Sequence, residues 1–424
     1  MLKVSFTRSI INPVFPCKME GYHEKRFCLF QKNEDGLPVD PMRTAYAGRD
    51  DLVMDTILIK AGEGKEVIIH VADVVSVEKS FSEEAKRRLA AKYQMKEEQF
   101  VITASHTHSS PLVSHGIAGD LHPSEEYHQL MITKMEENTA YCLNHLKDAV
   151  VSFDSHEIEG FLANRHGLDQ EYFNKILTLN FKDLEGNGII RMLNIGSHPT
   201  VLDNKNKCVS ADFFGVIRRY LQGYDGEPTM IVNGEAGDIS TRLTKKAGDW
   251  PETIRIGEGI AKQIQDPNVP QNLDFDEVVI KEVPFVIDYN PKAEPYLINK
   301  KKELEEELKE LDPESREAIM ISQCFILDVN EKMEKDRIYF ELSSFIYDFG
   351  SFRMVTFPSE IDTQLAKKLR YADEKPTYVI AYSNDFHYYA VNKNEYGKCH
   401  ESYVTDYPFG KADEFVDKII ANYE

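Results

Sequence analysis

Two histidines one residue apart, His106 and His108, directly follow the apolar run Phe100–Ala104. Side chains at positions i and i+2 of a strand lie on one face, so both imidazoles can point together just past the end of the strand. Open α/β sheets place their ligands at that edge, and Ser105 and Ser109 make it polar. The pair is therefore a candidate functional site. A loop that merely carries two histidines is the alternative explanation.

A third histidine, His198, also ends an apolar strand, in the segment NIGSHP. A histidine at this kind of strand end is the expected third nitrogen of a metal site, or a partner in acid–base chemistry. A structural histidine whose hydrogen bonds are satisfied in the core explains His198 equally well from the sequence alone.

Two further segments place polar groups after strands. Asn233–Ser240 is a Gly-rich turn that holds Glu235, Asp238 and Ser240 close together. The turn matches neither the P-loop GxxxxGK[ST] nor the GxSxG nucleophile elbow. Glu360 follows another strand and stands at the head of a helix, where the macrodipole favours a carboxylate. A tight turn and a helix cap are the respective structural explanations.

The segment YSNDFHYYAVNKNEYGKCHESY has little regular pattern and many rings, which include His387, Tyr389 and His400. Aromatic loops usually only pack against their surroundings. Residue type alone therefore does not assign these side chains a role.

The elements that must position these residues read as an α/β fold with mixed, largely parallel sheets and flanking helices. Glu66–Val75 and Phe100–Ala104 are apolar strands separated by a helix that Ser82 could cap, which predicts a parallel β-α-β unit. Glu125–Ala149 predicts a long helix, and Ile176–His198 predicts a hairpin with its turn at residues 185–188. We expect a single catalytic domain over residues 1–424, with a charged helical insertion at about 292–336.

Composition narrows the functional class. The 424-residue chain carries a net charge of −21, which disfavours nucleic acid as a partner. It contains no apolar run of 18 residues and no secretory signal pattern, so we expect no membrane span. The cysteines are scattered without a CxxC motif, which predicts a cytoplasmic protein with reduced thiols. They are Cys17, Cys28, Cys142, Cys208, Cys324 and Cys399.

Taken together and in this order, the motifs resemble those of the neutral/alkaline, non-lysosomal ceramidase family. SHTHSSP at 105–111 resembles the family's THTHSGP, and Asn164-Arg165-His166 is similar to its Asn-Arg-Ser. The other matching segments are His198 with Ser210-Ala211-Asp212, Gly237-Asp238-Ile239-Ser240, Pro358–Thr363 and Ser383–Tyr396. Ordered matches of this kind are more specific than any one of them alone.

The resemblance implies a zinc ion held by His106, His198, Glu360 and Tyr389. Two imidazoles, a carboxylate and a phenolate suit Zn²⁺ and leave a coordination position for water. The implied reaction is hydrolysis of an N-acyl amide by this metal-activated water. His108 would pass a proton to the leaving amine. By the same resemblance Arg165 sits over the zinc-bound water or scissile group, and Ser240 lines the pocket.

The chain departs from the family pattern at two places that bear on catalysis. Thr241-Arg242 replaces the Pro-Asn that follows the family's serine, so the Ser240 loop can differ in role. Cys399-His400-Glu401 stands where the family has an oxyanion-donating tyrosine, and His400 is a candidate substitute donor.

The family's C-terminal immunoglobulin-like domain is not expected here, and no apolar or basic surface for a bilayer is evident in the sequence. We therefore expect a small acylated substrate, with ceramide as one candidate. A zinc hydrolase of a soluble ester or of an acylated sugar or amine is one alternative, and a non-catalytic metal-binding relative is the other. The oligomeric state is not determined by the sequence.

Overall fold

Among the described residues, the strands form a nine-stranded sheet, a four-stranded sheet and four short two-stranded ladders. The computed structural model describes residues 2–22, 43–62, 65–114, 123–313, 315, 318, 321, 322 and 326–423. Cys28 and Cys324 lie outside the described residues. No described helix is both long and apolar enough to cross a bilayer.

The strands are β1 Leu2–Ile10, β2 Cys17–Lys18, β3 Thr44–Ala45, β4 Ala47–Gly48, β5 Val53–Ala61, β6 Glu66–Ala72, β7 Phe100–Ala104, β8 Lys147–Glu157, β9 Ala163–Asn164, β10 Lys175–Asp183, β11 Gly188–Ile195, β12 Cys208–Val209, β13 Thr229–Asn233, β14 Ile239–Ser240, β15 Gln271–Leu273, β16 Phe275–Tyr289, β17 Ile338–Gly350, β18 Arg353–Thr356, β19 Glu360–Ile361, β20 Thr377–Ile380 and β21 Tyr389–Ala390. The helices are α1 Lys79–Tyr93, α2 Glu125–Asn144, α3 Asp212–Asp225, α4 Trp250–Ile264, α5 Pro295–Glu310, α6 Ile326–Glu334, α7 Thr363–Arg370, α8 His400–Val404 and α9 Lys411–Ile420.

The larger sheet has the strand order β13-β11-β10-β8-β1-β5-β6-β7, and β15 pairs with β8. The pairs β6–β7 and β11–β13 are parallel, and the other pairs of this sheet are antiparallel. The predicted β-α-β unit is confirmed as β6-α1-β7, and the predicted hairpin as β10–β11. Helix α1 begins at Lys79, so Ser82 lies inside the helix rather than at its cap.

The second sheet, β16-β17-β18-β20, packs face to face with the larger one. Because side chains alternate along a strand, Ile57 and Ile59 face Tyr347 and Tyr378 between the sheets. The opposite face of β5 packs against α1 and α2. Helices α3 and α4 cover β11 and β13, and α7 and α9 cover the outer face of the second sheet. The core is thus a pair of sheets between two helical layers.

The mixed α/β class with flanking helices is confirmed, although the sheets contain fewer parallel pairs than the sequence predicted. The reason lies in short connections such as residues 351–352 between β17 and β18, because a tight turn can join only antiparallel strands. The charged segment at about 292–336 contains α5 and α6 between β16 and β17. Whether it is a separable insertion in one catalytic domain stays a prediction.

Candidate active site and metal centre

Two of the predicted histidines follow strands at or near opposite edges of the larger sheet, His106 after β7 and His198 after β11. The edge strands β7 and β13 approach each other, and β20 of the second sheet lies beside β13. The buried side chain of Asn233 joins the segments that follow β7 and β11, since its Nδ2 donates to the carbonyl oxygens of Ser105 (2.9 Å) and Ser197 (3.0 Å). These two residues immediately precede His106 and His198. The backbone nitrogen of Ala381, after β20, donates to the carbonyl oxygen of Asn233 at 3.0 Å. One amide side chain therefore fixes the spacing of two candidate ligands.

His106 is buried and held in an uncommon backbone conformation, with φ at 66°. Left-handed non-glycine residues cost free energy and are concentrated at functional sites. Its Nδ1 lies 2.7 Å from the carbonyl oxygen of Val75, and its ring stacks on Tyr382 with centroids 4.2 Å apart. A carbonyl at Nδ1 sets the tautomer that leaves Nε2 as the coordinating nitrogen.

His198 presents its Nε2 to the same point. Its Nδ1 lies 3.3 Å from the carbonyl oxygen of Ile239, and its ring centroid is 4.6 Å from that of His106. Burial, with the nearby Arg165 charge added, lowers the pKa of His198 to about 4. A neutral imidazole is the form that binds a metal.

The Glu360 carboxylate lies between the two imidazoles. Its Oε2 is 2.9 Å from Nε2 of His198 and 3.5 Å from Nε2 of His106. None of the residues that the structure describes donates a hydrogen bond of good geometry to this buried oxygen. Burial would raise the pKa of the carboxyl group, but the two adjacent imidazoles outweigh burial and hold the pKa well below its usual range.

Tyr389 is brought to the site by the backbone. In the short parallel pair β19–β21, Tyr389 is the direct partner of Glu360. Its ring stacks on His198 with centroids 6.3 Å apart. Burial, with the Glu360 charge added, raises the pKa of its phenol. Glu360 and Tyr389 are thus placed by strand register rather than by separate loops.

His108 lies inside the same cluster. Its Nε2 is 3.1 Å from Nε2 of His106, and ligand atoms of His106, His108 and His198 all lie within 4.8 Å of one another. His108 is less deeply buried than the other two histidines. The geometry suits either the proton-transfer role predicted from the sequence or direct coordination.

Arg165 joins this cluster to a second group of side chains. Its NH1 lies 3.4 Å from Nε2 of His198, and its NH2 forms an ion pair with Oε1 of Glu401 at 2.6 Å. The guanidinium carbon is 5.4 Å from the centroid of the Tyr389 ring. Burial lowers the pKa of Arg165, but Tyr389 and Glu401 outweigh it and raise the pKa. The side chain is a fixed cation at the edge of the candidate centre.

The other two predicted site residues lie next to the centre rather than among the converging atoms. Ser240 is buried and forms a backbone bridge with His198, and its hydroxyl accepts a hydrogen bond from the backbone nitrogen of Arg242 at 3.1 Å. His400 begins α8, and its ring centroid is 6.4 Å from that of Tyr389. Their predicted roles stay predictions.

The architecture that carries this centre is found in solved structures. The chain superposes on a crystal structure of neutral ceramidase from Pseudomonas aeruginosa with a TM-score of 0.70 and 15% identity, over 99% of this chain and 74% of that one. A structure of a ceramidase complexed with C2 matches with the same TM-score and identity, over 99% and 75% of the two chains. This chain has the neutral ceramidase fold. No protein-family model and no curated protein matches the sequence.

Within the ceramidase fold of this chain, the donor set fits a zinc ion. Two buried imidazoles have Nδ1 occupied by carbonyl oxygens, and both direct Nε2 at the Glu360 oxygen, to which no described residue donates a well-aligned hydrogen bond. A carbonyl oxygen at the nitrogen that does not bind the metal is the usual support of a metal-binding histidine. Nitrogen and carboxylate donors are also the ligands that Zn²⁺ prefers.

Two side chains that contribute to the site of this ceramidase-fold chain, Asn233 and Glu401, could not be assigned their contacts from the sequence. Asn233 was considered only as part of a Gly-rich turn, and no local pattern shows that it bridges two strand ends. Glu401 was noted as a departure from the family pattern, yet it is the ion-pair partner of Arg165 and lies 3.0 Å from Nε2 of His166. Partners separated by more than two hundred residues leave no signal in spacing.

Proposed function

We propose that this protein is a zinc-dependent hydrolase that cleaves an N-acyl amide bond. The observation that carries the proposal is the convergence of two Nε2 atoms on one buried oxygen of Glu360, which receives no well-aligned hydrogen bond from the described residues, inside the neutral ceramidase fold. A buried carboxylate is costly to desolvate unless a cation lies beside it. A divalent ion removes that cost.

The residues proposed to hold the ion are His106, His198, Glu360 and Tyr389. Zinc bound there supplies a Lewis acid for the amide carbonyl and lowers the pKa of water. The protein's own ionisable side chains set the charge of the site. Because burial keeps His198 neutral, its nitrogen is available at neutral pH. Because Glu360 stays ionised, the centre retains a negative charge that favours a divalent ion.

Arg165 and His108 are proposed to act on the substrate. The Arg165 guanidinium is held by Glu401 and lies beside His198, where it can stabilise the negative charge that develops on the carbonyl oxygen. His108 is the more accessible imidazole of the cluster, and it is proposed to carry a proton to the leaving amine. Ser240 is proposed to line the pocket, and His400 is proposed to donate to the oxyanion in place of the family's tyrosine.

The proposed substrate is a small N-acyl compound, for which ceramide is one candidate. The two similar structures are a neutral ceramidase and a ceramidase complexed with C2, which supports an acyl-amide substrate. The net charge of −21 argues against a nucleic acid and against attraction to anionic bilayers. A cytoplasmic location is proposed from the scattered cysteines, of which the four described ones are free.

The test combines metal content with turnover. We expect the purified protein to hold close to one zinc at this centre and to hydrolyse fluorogenic N-acyl amides faster than matched esters. His106→Ala should remove both the zinc and the turnover. His145→Ala is the matched control, because His145 is an exposed histidine at the end of α2. Full turnover in His106→Ala, or preference for the ester, would overturn the proposal.

His108 needs a separate variant because two roles fit its position. If His108 transfers a proton, His108→Ala keeps its zinc and loses turnover, and the pH profile loses its limb for the general acid. If His108 is a ligand, zinc and turnover are lost together. Metal analysis and the pH profile of the same preparation distinguish the two outcomes.

A further inference from the structure

A second cluster of metal-ligand types lies on the far side of Arg165. His166, Cys399 and Glu401 offer ligand atoms that all lie within 4.8 Å of one another. Nε2 of His166 is 3.0 Å from Oε2 of Glu401. His166 lies in the segment after β9, and Cys399 and Glu401 lie at the start of α8, so the cluster joins two segments that are distant in sequence.

The two segments that meet here are both departures from the motifs that the chain otherwise resembles. His166 occupies the serine position of the Asn-Arg-Ser motif, and Cys399-His400-Glu401 replaces the segment with the tyrosine. Neither of these two sequence changes alone would indicate a metal site. Their meeting at one point brings together an imidazole, a thiol and a carboxylate, a ligand combination that binds zinc in proteins.

The geometry permits one ion without dismantling the first centre. The Glu401 carboxylate divides its oxygens, with Oε1 on Arg165 and Oε2 toward His166. An ion on Oε2 would leave the Arg165 ion pair intact. Ligand atoms on a tetrahedral zinc lie roughly 3.5 Å apart, so the cluster needs only a small contraction. His166 is exposed, which provides both the freedom to move and a path of entry.

We propose that His166, Cys399 and Glu401 form a second divalent-metal site, suited to zinc, that ties α8 to the segment after β9. Because Glu401 also holds Arg165, an ion at this site would hold that guanidinium in place against the first centre. The site is therefore structural and positioning in character. This proposal does not depend on whether the protein hydrolyses an amide.

Cobalt distinguishes the two sites because only the second contains sulfur. The proposed ligands of the first centre are nitrogen and oxygen atoms, so a thiolate-to-cobalt charge-transfer band in the near ultraviolet reports the second site alone. We expect chelator-treated protein to take up two cobalt ions per chain and to show this band. Cys399→Ser and His166→Asn should each take up one ion and lose the band.

Two further variants complete the test. Cys208→Ser, at a half-buried cysteine outside both clusters, should keep both ions and the band. His106→Ala should lose one ion and keep the band, which separates this proposal from the proposed hydrolysis. Circular dichroism checks that each variant is folded. If Cys399→Ser is unfolded, His166→Asn provides the test of the second site. A band that persists in either of these two variants, or a folded His106→Ala protein without cobalt, would overturn the second site.

Discussion

Gly237 separates the candidate centre from the turn that carries Ser240, and replacing it by alanine should displace Glu360. A Cβ atom at Gly237 would lie 2.8 Å from the carbonyl oxygens of Glu360 and Ile361. Ordinary contact begins at 3.4 Å, so the backbone of β19 must retreat by about 0.6 Å. These neighbours are backbone atoms, which cannot rotate away as a side-chain end can.

The expected effect of Gly237→Ala follows from that displacement. Overpacking of a well-packed interior typically costs about 1–3 kcal/mol of the free energy of unfolding. A misplacement of about 1 Å at a catalytic group can cost about a hundredfold in rate. A shift of about 0.6 Å in β19 is therefore expected to lower kcat/KM roughly tenfold and to weaken zinc binding.

Gly223→Ala is the matched control. Gly223 lies in α3, and its added methyl group would meet no heavy atom within 4 Å. Alanine in a helix is favoured over glycine by up to about 1 kcal/mol, so this variant should be equal to or more stable than the parent protein. Urea unfolding, zinc content and amide hydrolysis are compared for both variants. If Gly237→Ala is as stable and as active as Gly223→Ala, the inferred position of Glu360 is wrong.

Three other predictions rest on the same structure. Removing metal with a chelator should lower thermal stability. Zinc at a concentration of about a hundred times its Kd should restore about 2.7 kcal/mol of the free energy of unfolding. Calorimetry should find a smaller gain in His106→Ala. Asn233→Ala removes three buried hydrogen bonds, two donated to carbonyl oxygens and one accepted from the backbone nitrogen of Ser197, so it should cost about 3 kcal/mol in urea unfolding. Exposed Asn144→Ala should change stability by less than about 1 kcal/mol, and equal effects of the two variants would contradict the bridging role. Hydrogen bonds that His166 donates to Cys399 and Glu401 raise its pKa from 6.5 to about 10. In chelator-treated protein the stabilising contribution of His166 is therefore complete below pH 6.5 and is lost as the pH rises toward 10, and this slope should be absent from unfolding curves of His166→Asn.

The sequence predicts the parts of this fold whose signals are local. His106 and His198 could be recognised because each directly follows an apolar strand, and strand β7, helix α1 and the β10–β11 hairpin follow from periodicity and turn residues. The predominance of antiparallel pairs was not predictable from those signals, because pairing between distant strands depends on tertiary packing. Strand β8 was missed for a related reason. It directly follows α2, and its mixture of charged and apolar residues resembles a continuing helix.

The candidate site shows the same division. Glu360 and Tyr389 were proposed from a family resemblance, and neither strand of the β19–β21 pair is long enough to have a periodic signal. Asn233 and Glu401 act through partners that are remote in the chain. Their contribution becomes visible only when the hydrogen-bond partners of each strand end are known.

The β19–β21 pairing has a consequence for how this protein can be altered. Glu360 and Tyr389 face each other because two backbone segments share a ladder, so the intervening chain does not set their separation. Engineers could therefore shorten, lengthen or exchange the outer turns of that intervening chain while the acid and the phenol keep their alignment. A slip of one residue in one strand of the ladder would instead turn that strand's side chain to the opposite side and separate the acid from the phenol. We therefore expect this centre to tolerate exchange of those turns and to be lost when the pairing register changes.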